Sequence, residues 1–199
     1  MKNFMKNLLG ITVGLLLAVN VWALPIDIGD HVIVDQGGLT TYNVTNVDLS
    51  DDWDYYSSFC VESGYYFEPG HEYIVLSVAD YVEIDHDYLS DETRWLYATY
   101  MTDPGNYSAT LAQNAVWWLE DESSGVESAW NSFFLQVTGL SDMTGYDFST
   151  PDWDIQVVNL TDINGTNIQS QLVGSQVPEP ATLLLFGLGL LSLASIKRK

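Results

Sequence analysis

Every lysine of this chain lies in its first six or its last three residues: Lys2 and Lys6 at one end, Lys197 and Lys199, with Arg198, at the other. The body between holds a single cation, Arg94, against 26 acidic residues, Glu179 being the one acid of the ends, and so carries a formal charge of −25. That imbalance excludes nucleic acid as a partner and disfavours anionic lipid, because phosphate binding needs clustered Lys and Arg. Divalent cations, amine-bearing partners and neutral glycans stay open. The charge does not imply disorder. The body is rich in Trp, Tyr, Phe, Val and Leu, enough apolar surface to offset the entropy of folding, and about 150 residues suffice for one domain with a real core.

The ends carry the addresses. Met1 to Asn7 is a positive segment, Leu8 to Val19 an apolar run shorter than the ~20 residues a spanning helix needs, and Val21-Trp22-Ala23 presents small residues where a signal peptidase reads. This order predicts a secretory signal peptide over 1–23, cut after Ala23. At the other end Val177-Pro178-Glu179-Pro180 precedes an apolar stretch from Ala181 to Ile196, then Lys197-Arg198-Lys199. A short apolar helix closed by a basic cluster stops in the membrane with its positive end inside. With Pro178, Glu179 and Pro180 against that stretch, residues 177–199 resemble the PEP-CTERM sorting signal. The resemblance implies processing by a membrane-embedded exosortase. It also implies a Gram-negative bacterium that makes exopolysaccharide, and a final place on the cell surface or in the extracellular matrix, with exopolysaccharide as a possible partner.

Within 24–176 the strand signals come first. Ile26 to Val34 alternates, Gly37-Gly38 breaks it, Leu39 to Leu49 reads as a second strand, and Trp53 to Val61 as an aromatic third. Glu68-Pro69-Gly70 is a turn, and Tyr73 to Ile84 is β-rich. Ser90-Asp91-Glu92 then opens a helix by capping its free amides, and Asp103-Pro104-Gly105-Asn106 ends it. A second helix is expected from Ser108 to Glu122 and a third from Ala129 to Val137. Ile155 to Leu160 and Ile168 to Val173 return to strand around the hairpin turn Asn164-Gly165. The expectation is an α+β fold: a β-sandwich-like domain with a helical insertion, two layers around one core.

Cys60 is the one cysteine of the chain. An exported protein usually pairs its cysteines or has none, so a lone one means an intermolecular disulfide, a buried inert thiol or a special chemical use. It lies in Phe59-Cys60-Val61, on a strand. Gln113 lies in Ala112-Gln113-Asn114-Ala115-Val116-Trp117, on an apolar helix where a buried amide needs a partner. A thiolate can attack a side-chain amide carbon and expel ammonia, leaving a thioester. The two segments, over about Trp53 to Glu122, resemble the bacterial thioester domain of surface adhesins, whose pattern is a cysteine among large apolar residues followed by Gln-x-Ala-(Ile/Val)-Trp. Ala112 departs from the threonine frequent there, and the sorting tail is of Gram-negative type, whereas those adhesins are chiefly Gram-positive. The resemblance implies an internal Cys60–Gln113 thioester shielded by Trp117, which couples once to an amine or hydroxyl and does not turn over. The protein is accordingly expected not to be an enzyme and to need no cofactor. A lysine-free body cannot quench such a bond with a lysine of its own.

Other constellations are weaker. Cys60 with His71 or His86 would suggest a cysteine hydrolase, but such nucleophiles prefer a helix N-terminus, where the thiol pKa falls. Asp85-His86-Asp87 and Asp51-Asp52-Trp53-Asp54 could face Ca²⁺, yet neither has EF-hand spacing, and no metal site is assigned. Arg94 is expected to pair with an acid or stack on an aromatic ring. Tyr55, Tyr56, Tyr65 and Tyr66 could stack on sugars, which gives the alternative reading: a non-covalent structural or glycan-binding matrix protein with an inert Cys/Gln pair.

Overall fold

In a computed structural model of the protein, residues 24, 26–36, 41–48 and 55–177 are described. The described fold lies in the compact unit Leu24–Ser175; of the chain beyond it only Gln176 and Val177 are described. Ala23, the Pro178-Glu179-Pro180 motif, the apolar stretch Ala181–Ile196 and Asp51–Asp54 lie outside the described residues. Among the described residues no helix is long and apolar enough to cross a membrane.

The strands are β1 (His31–Gln36), β2 (Tyr42–Asn46), β3 (Tyr55–Ser58), β4 (Glu72–Ala79), β5 (Tyr81–Val82), β6 (Asp87–Tyr88), β7 (Trp153–Thr161) and β8 (Asn167–Gln176). Six of them form one sheet in the order β3-β2-β1-β4-β7-β8, and β5 with β6 makes a small hairpin. The period-2 alternation seen in the sequence sets the register. Val34 opposes Val44 and Val32 opposes Tyr73, while Val75 opposes Leu160. All six are buried on one face with Val158 and Val173. A one-residue slip would turn that whole set to the other face, so the register is strongly specified.

The sheet curls until its ends meet. Beyond β3 the chain runs straight into a segment that pairs with β8. Leu172 N–H donates to the Phe59 carbonyl at 2.9 Å and Val61 N–H to the Ser170 carbonyl at 3.0 Å, with Cys60 opposite Gln171. Cys60 therefore sits at the seam of the curl.

Among the described residues three helices pack against one face of the sheet: α1 (Asp91–Thr102), α2 (Ala109–Leu119) and α3 (Glu127–Thr138). Ser90 caps α1 by accepting the Thr93 N–H, and Asp91 and Glu92 complement the dipole of its first turn. Ser108 caps α2 through the Leu111 N–H, and α3 ends at Gly139 in the left-handed region. Phe59, Val61, Val157 and Leu172 of the sheet pack against Leu96, Tyr97, Ala112, Ala115, Val116 and Phe133 of the helices. Each large side chain so buried stabilises the fold by about 1.5–3 kcal/mol. Gly174 makes room for this layer, since a Cβ there would stand 2.7 Å from the Tyr97 ring.

The α+β class and the three helices agree with the sequence reading. The sandwich does not: the second layer is helical, because the strands join into one curled sheet. Its two faces give two buried clusters where one core was expected. The run Tyr73 to Ile84 is not one strand. It breaks at Asp80, and its end enters the β5–β6 hairpin. α2 stops at Leu119, before Glu122, because Asp121 adopts φ 56° and the chain doubles back, bringing Gly125 against the main chain of Trp118.

Candidate functional site

The seam dictates the geometry at Cys60. Cys60 and Gln171 face each other between the two main-chain bonds that flank them, so they exchange no main-chain bond with one another. In such a pair the side chains stand close, while the N–H and C=O of Cys60 point to the strand's other edge. That edge is met by α2. Gln113 Oε1 accepts the Cys60 N–H at 2.9 Å and Gln113 Nε2 donates to the Cys60 carbonyl at 2.8 Å. The carboxamide thus does what a neighbouring strand's peptide group would do. A buried main-chain group left unpaired costs about 1–3 kcal/mol, so these two bonds hold the Gln113 side chain firmly in place.

The approach of α2 depends on small side chains. Ala112 and Ala115 are fully buried around Gln113. A second tie lies nine residues on. Glu122 Oε2 accepts both the N–H and the hydroxyl of Ser63, each at 2.8 Å. From α1, the Tyr97 hydroxyl donates to the Ser57 carbonyl at 3.1 Å, and the Tyr97 and Tyr100 rings meet Phe59 edge-on. The strand that carries the thiol is fixed on both sides of it.

The sulfur is a free thiol with no solvent exposure. Gln171 Nε2 donates to Sγ at 3.2 Å. Burial pushes the thiol up to about 12, against hydrogen bonds from Gln171 and Tyr42 that favour the thiolate and together with the nearby charge of Glu62, which opposes it. Tyr42 is itself raised to about 12, by burial and then by the sulfur's charge. Glu62 is buried, and its Oε2 accepts the Ser170 N–H at 2.7 Å. Burial raises its carboxyl above the ordinary range, and the Ser170 hydrogen bonds only partly offset this. Ser170 Oγ passes the network to Asn159 Oδ1 at 3.0 Å, and Asn159 Nδ2 donates to the Tyr81 carbonyl at 3.1 Å. Glu62 Oε1, Gln171 Oε1 and Trp117 Nε1 are buried without a hydrogen-bond partner among the described residues.

The structure therefore brings the Gln113 carboxamide to the main chain of Cys60. Trp117 stands one helical turn beyond Gln113, half-buried. The sequence reading missed Gln171, Tyr42 and Glu62. Tyr42 and Gln171 lie on strands whose register it did not derive, and Glu62 reads as one acid among many. The other candidates lie elsewhere. His71 Nδ1 is 2.9 Å from Glu68, and His86 stacks on Tyr81 at the turn of the β5–β6 hairpin, so the sulfur's partners are not imidazoles. Among the described residues no group of three or more His, Cys, Asp or Glu is placed to hold a metal ion. Among the described residues Arg94 meets neither the acid nor the ring expected. Its guanidinium donates to the carbonyls of Ile155 and Asp80. Tyr65 and Tyr66 are exposed, whereas the Tyr56 hydroxyl is buried.

Residues 176–199 match the family model of the PEP-CTERM protein-sorting motif. A motif of this kind indicates an exported protein processed by exosortase and sorted through the membrane to the cell surface. No curated protein matches it. Among solved structures it is similar to the N-terminal domain of the Streptococcus pyogenes pilus tip adhesin Cpa, at 13% identity and a TM-score of 0.46, over 80% of this chain and 100% of that one.

Proposed function

We propose that the domain is a single-use covalent-attachment module of the cell surface, with Cys60 as the acyl-accepting sulfur and Gln113 as the acyl donor. The observation that supports this reading is the carboxamide of Gln113 held by both its oxygen and its nitrogen on Cys60. Attack of Sγ on the Gln113 amide carbon forms the S–C bond and puts negative charge on Oε1. The Cys60 N–H already bonded to that oxygen stabilises the charge, as an oxyanion-hole donor does. The C–N bond then breaks, and ammonia leaves carrying the thiol proton. In the second step an external amine attacks the same carbon and the S–C bond breaks. The thiol is regenerated with the amine's proton, and Gln113 becomes a substituted amide. A hydroxyl partner would give an ester by the same route. Trp117 serves as the shield against water.

The high thiol pKa fits a slow first step. With a value of about 12, roughly one thiol in 10⁵ is ionised at pH 7. A dry site suits a thioester that must survive until a partner arrives. The test is the intact mass of the Leu24–Val177 body before and after methylamine. The expected result is a mass short by one ammonia, then an amine adduct at Gln113. A mass equal to the plain sequence, with Cys60 freely alkylated in the unfolded chain, removes the proposal. The exposed rings of Tyr65 and Tyr66 favour the second reading, non-covalent glycan or matrix binding, and Cys60→Ala would leave that activity intact.

A further inference from the structure

Two adjoining clefts open in the helical layer at the N-terminal end of α1. One, of about 570 Å³, lies between Asp91, Glu92 and residues 146–151, the chain returning from α3 to β7. The other, of about 430 Å³, is lined by Trp118, Trp130, Met143 and Asp121. Glu92 and Phe148 line both, so the two form one groove, and none of its residues belongs to the Cys60 site. The floor is apolar because the returning chain is pinned by its rings. Phe148 meets Trp95 edge-on and Trp130 and Phe134 at a tilt, and Tyr146 meets Trp95 and Phe134 edge-on. Rings engaged in this way offer the groove chiefly their edges, a wall for an alkyl stem rather than a platform for a sugar ring. Trp118, on the last turn of α2, is 41% exposed.

The rim carries four carboxyl groups, those of Asp91, Glu92, Asp121 and Asp147. The body holds no cation to set against them. Its single Lys or Arg, Arg94, turns its guanidinium to the carbonyls of Ile155 and Asp80. The histidines are engaged elsewhere, His31 with Glu72, His71 with Glu68 and His86 against Tyr81. Nor do the carboxyls form a metal cage, since among the described residues no group of three or more His, Cys, Asp or Glu is placed to hold an ion. The groove thus lacks a positive charge carried on a slim apolar stem.

We propose that this groove docks a basic peptide segment of a partner protein. Lysine or arginine stems lie along Trp130, Met143 and Phe148, and their charged ends meet the rim carboxyls and the face of Trp118. Charge complementarity selects this occupant. A body of formal charge −25 steers a cationic segment toward itself and repels an anionic one. A neutral glycan would leave the four rim charges uncompensated. The binding is non-covalent and does not depend on the chemistry of Cys60.

The experiment titrates the full chain with a hexalysine peptide by calorimetry at an ionic strength of about 0.15 M, where long-range attraction is largely screened. Trp118→Ala removes the exposed ring. The pair Glu92→Gln and Asp121→Asn removes two groove charges. The control pair Asp35→Asn and Glu68→Gln removes two charges from exposed positions outside the groove. Binding is expected to weaken about twofold to fivefold in Trp118→Ala and about fivefold or more in the groove pair. The control pair and Cys60→Ala should bind as the parent does, and all variants should keep its unfolding midpoint within the spread of ordinary surface substitutions. Equal losses in the two pairs overturn the proposal, because they mean general attraction to an acidic body. So does an absence of hexalysine binding by the parent. Loss of binding in Cys60→Ala overturns it too, by placing the peptide at the thiol. Cellohexaose binding that disappears with Trp118→Ala would assign the groove to a glycan instead. Each of these failures leaves the reading of Cys60 and Gln113 to its own mass measurement.

Discussion

Opening the Cys60–Gln113 link should unfold the protein at a lower temperature, by an amount set chiefly by chain length. The two residues are 53 positions apart, so the thioester would close a loop of that size. For a cross-link of this span, loop-closure entropy removed from the unfolded chain is worth about 4 kcal/mol at 25 °C. Methylamine cuts the link and leaves a substituted amide whose remaining N–H can again bond the Cys60 carbonyl, a bond the thioester lacks, worth about 1 kcal/mol, so the net loss is about 3 kcal/mol. In a domain of about 150 residues each kcal/mol moves the unfolding midpoint by about 2–4 °C, giving a fall of about 6–12 °C. Differential scanning calorimetry on the protein before and after methylamine, with intact mass on the same samples, measures it. Complete conversion to the adduct with a midpoint lowered by less than about 2 °C would refute the reasoning, and Cys60→Ala, which never closes the loop, should unfold near the opened form.

Three further outcomes are expected. In a Cys60→Ala background, where no thioester can form, Gln113→Leu strands the N–H and carbonyl of residue 60 and should cost about 2–5 kcal/mol in urea unfolding; a loss below 1 kcal/mol would show those groups finding other partners. Stability should depend on pH in two opposite senses. The carboxyls of buried Glu62 and half-buried Glu120 have folded values raised by desolvation, so their protonated forms suit the fold, and stability falls as pH rises from the ordinary carboxylate range through those values. Asp142, Asp147 and Asp162 are lowered by main-chain hydrogen bonds in their turns, so their contribution is present above the ordinary range and is lost as pH falls through the folded values. The optimum should therefore lie in mildly acidic solution, and Glu62→Gln should flatten the alkaline side; a curve unchanged by that substitution would assign the slope to other groups. Finally, Gly125→Ala would place a Cβ 2.3 Å from the Trp118 main-chain nitrogen. It should displace the loop that returns from α2 and cost about 1–3 kcal/mol, read as a lower denaturation midpoint; an unchanged midpoint would mean the loop moves freely.

What the chain reveals before it is folded divides along a physical line. Local signals were sufficient for α1 and α2, because capping is a matter of a few adjacent residues: Ser90 and Ser108 announce the helices they cap. The alternation of Val32, Val34 and Val44 likewise exposes a buried face, though not which strands share it. The sandwich expectation failed at that point. Whether β3 leads into a second sheet or closes the first depends on hydrogen bonds between residues such as Phe59 and Leu172, 113 positions apart in the sequence, and no local pattern records them.

The candidate site divides the same way. Cys60 and Gln113 could be read together because their two stretches, an aromatic strand and an apolar helix, together resemble one family pattern, and a buried amide on such a helix demands a partner. Gln171 gives no comparable signal in Ile168-Gln169-Ser170-Gln171-Leu172, where three polar side chains in succession read as a solvated strand. They are instead all buried, held by Glu62 and its neighbours at the seam. Closing a curled sheet puts a β8 side chain directly opposite the thiol, and the strand's outer edge is then left for a helix to satisfy. The same closure that removes the sheet's edges thus presents one carboxamide to the sulfur and another to the main chain of a single residue, an arrangement available only at the seam, where β8 flanks Cys60 on one side and α2 on the other.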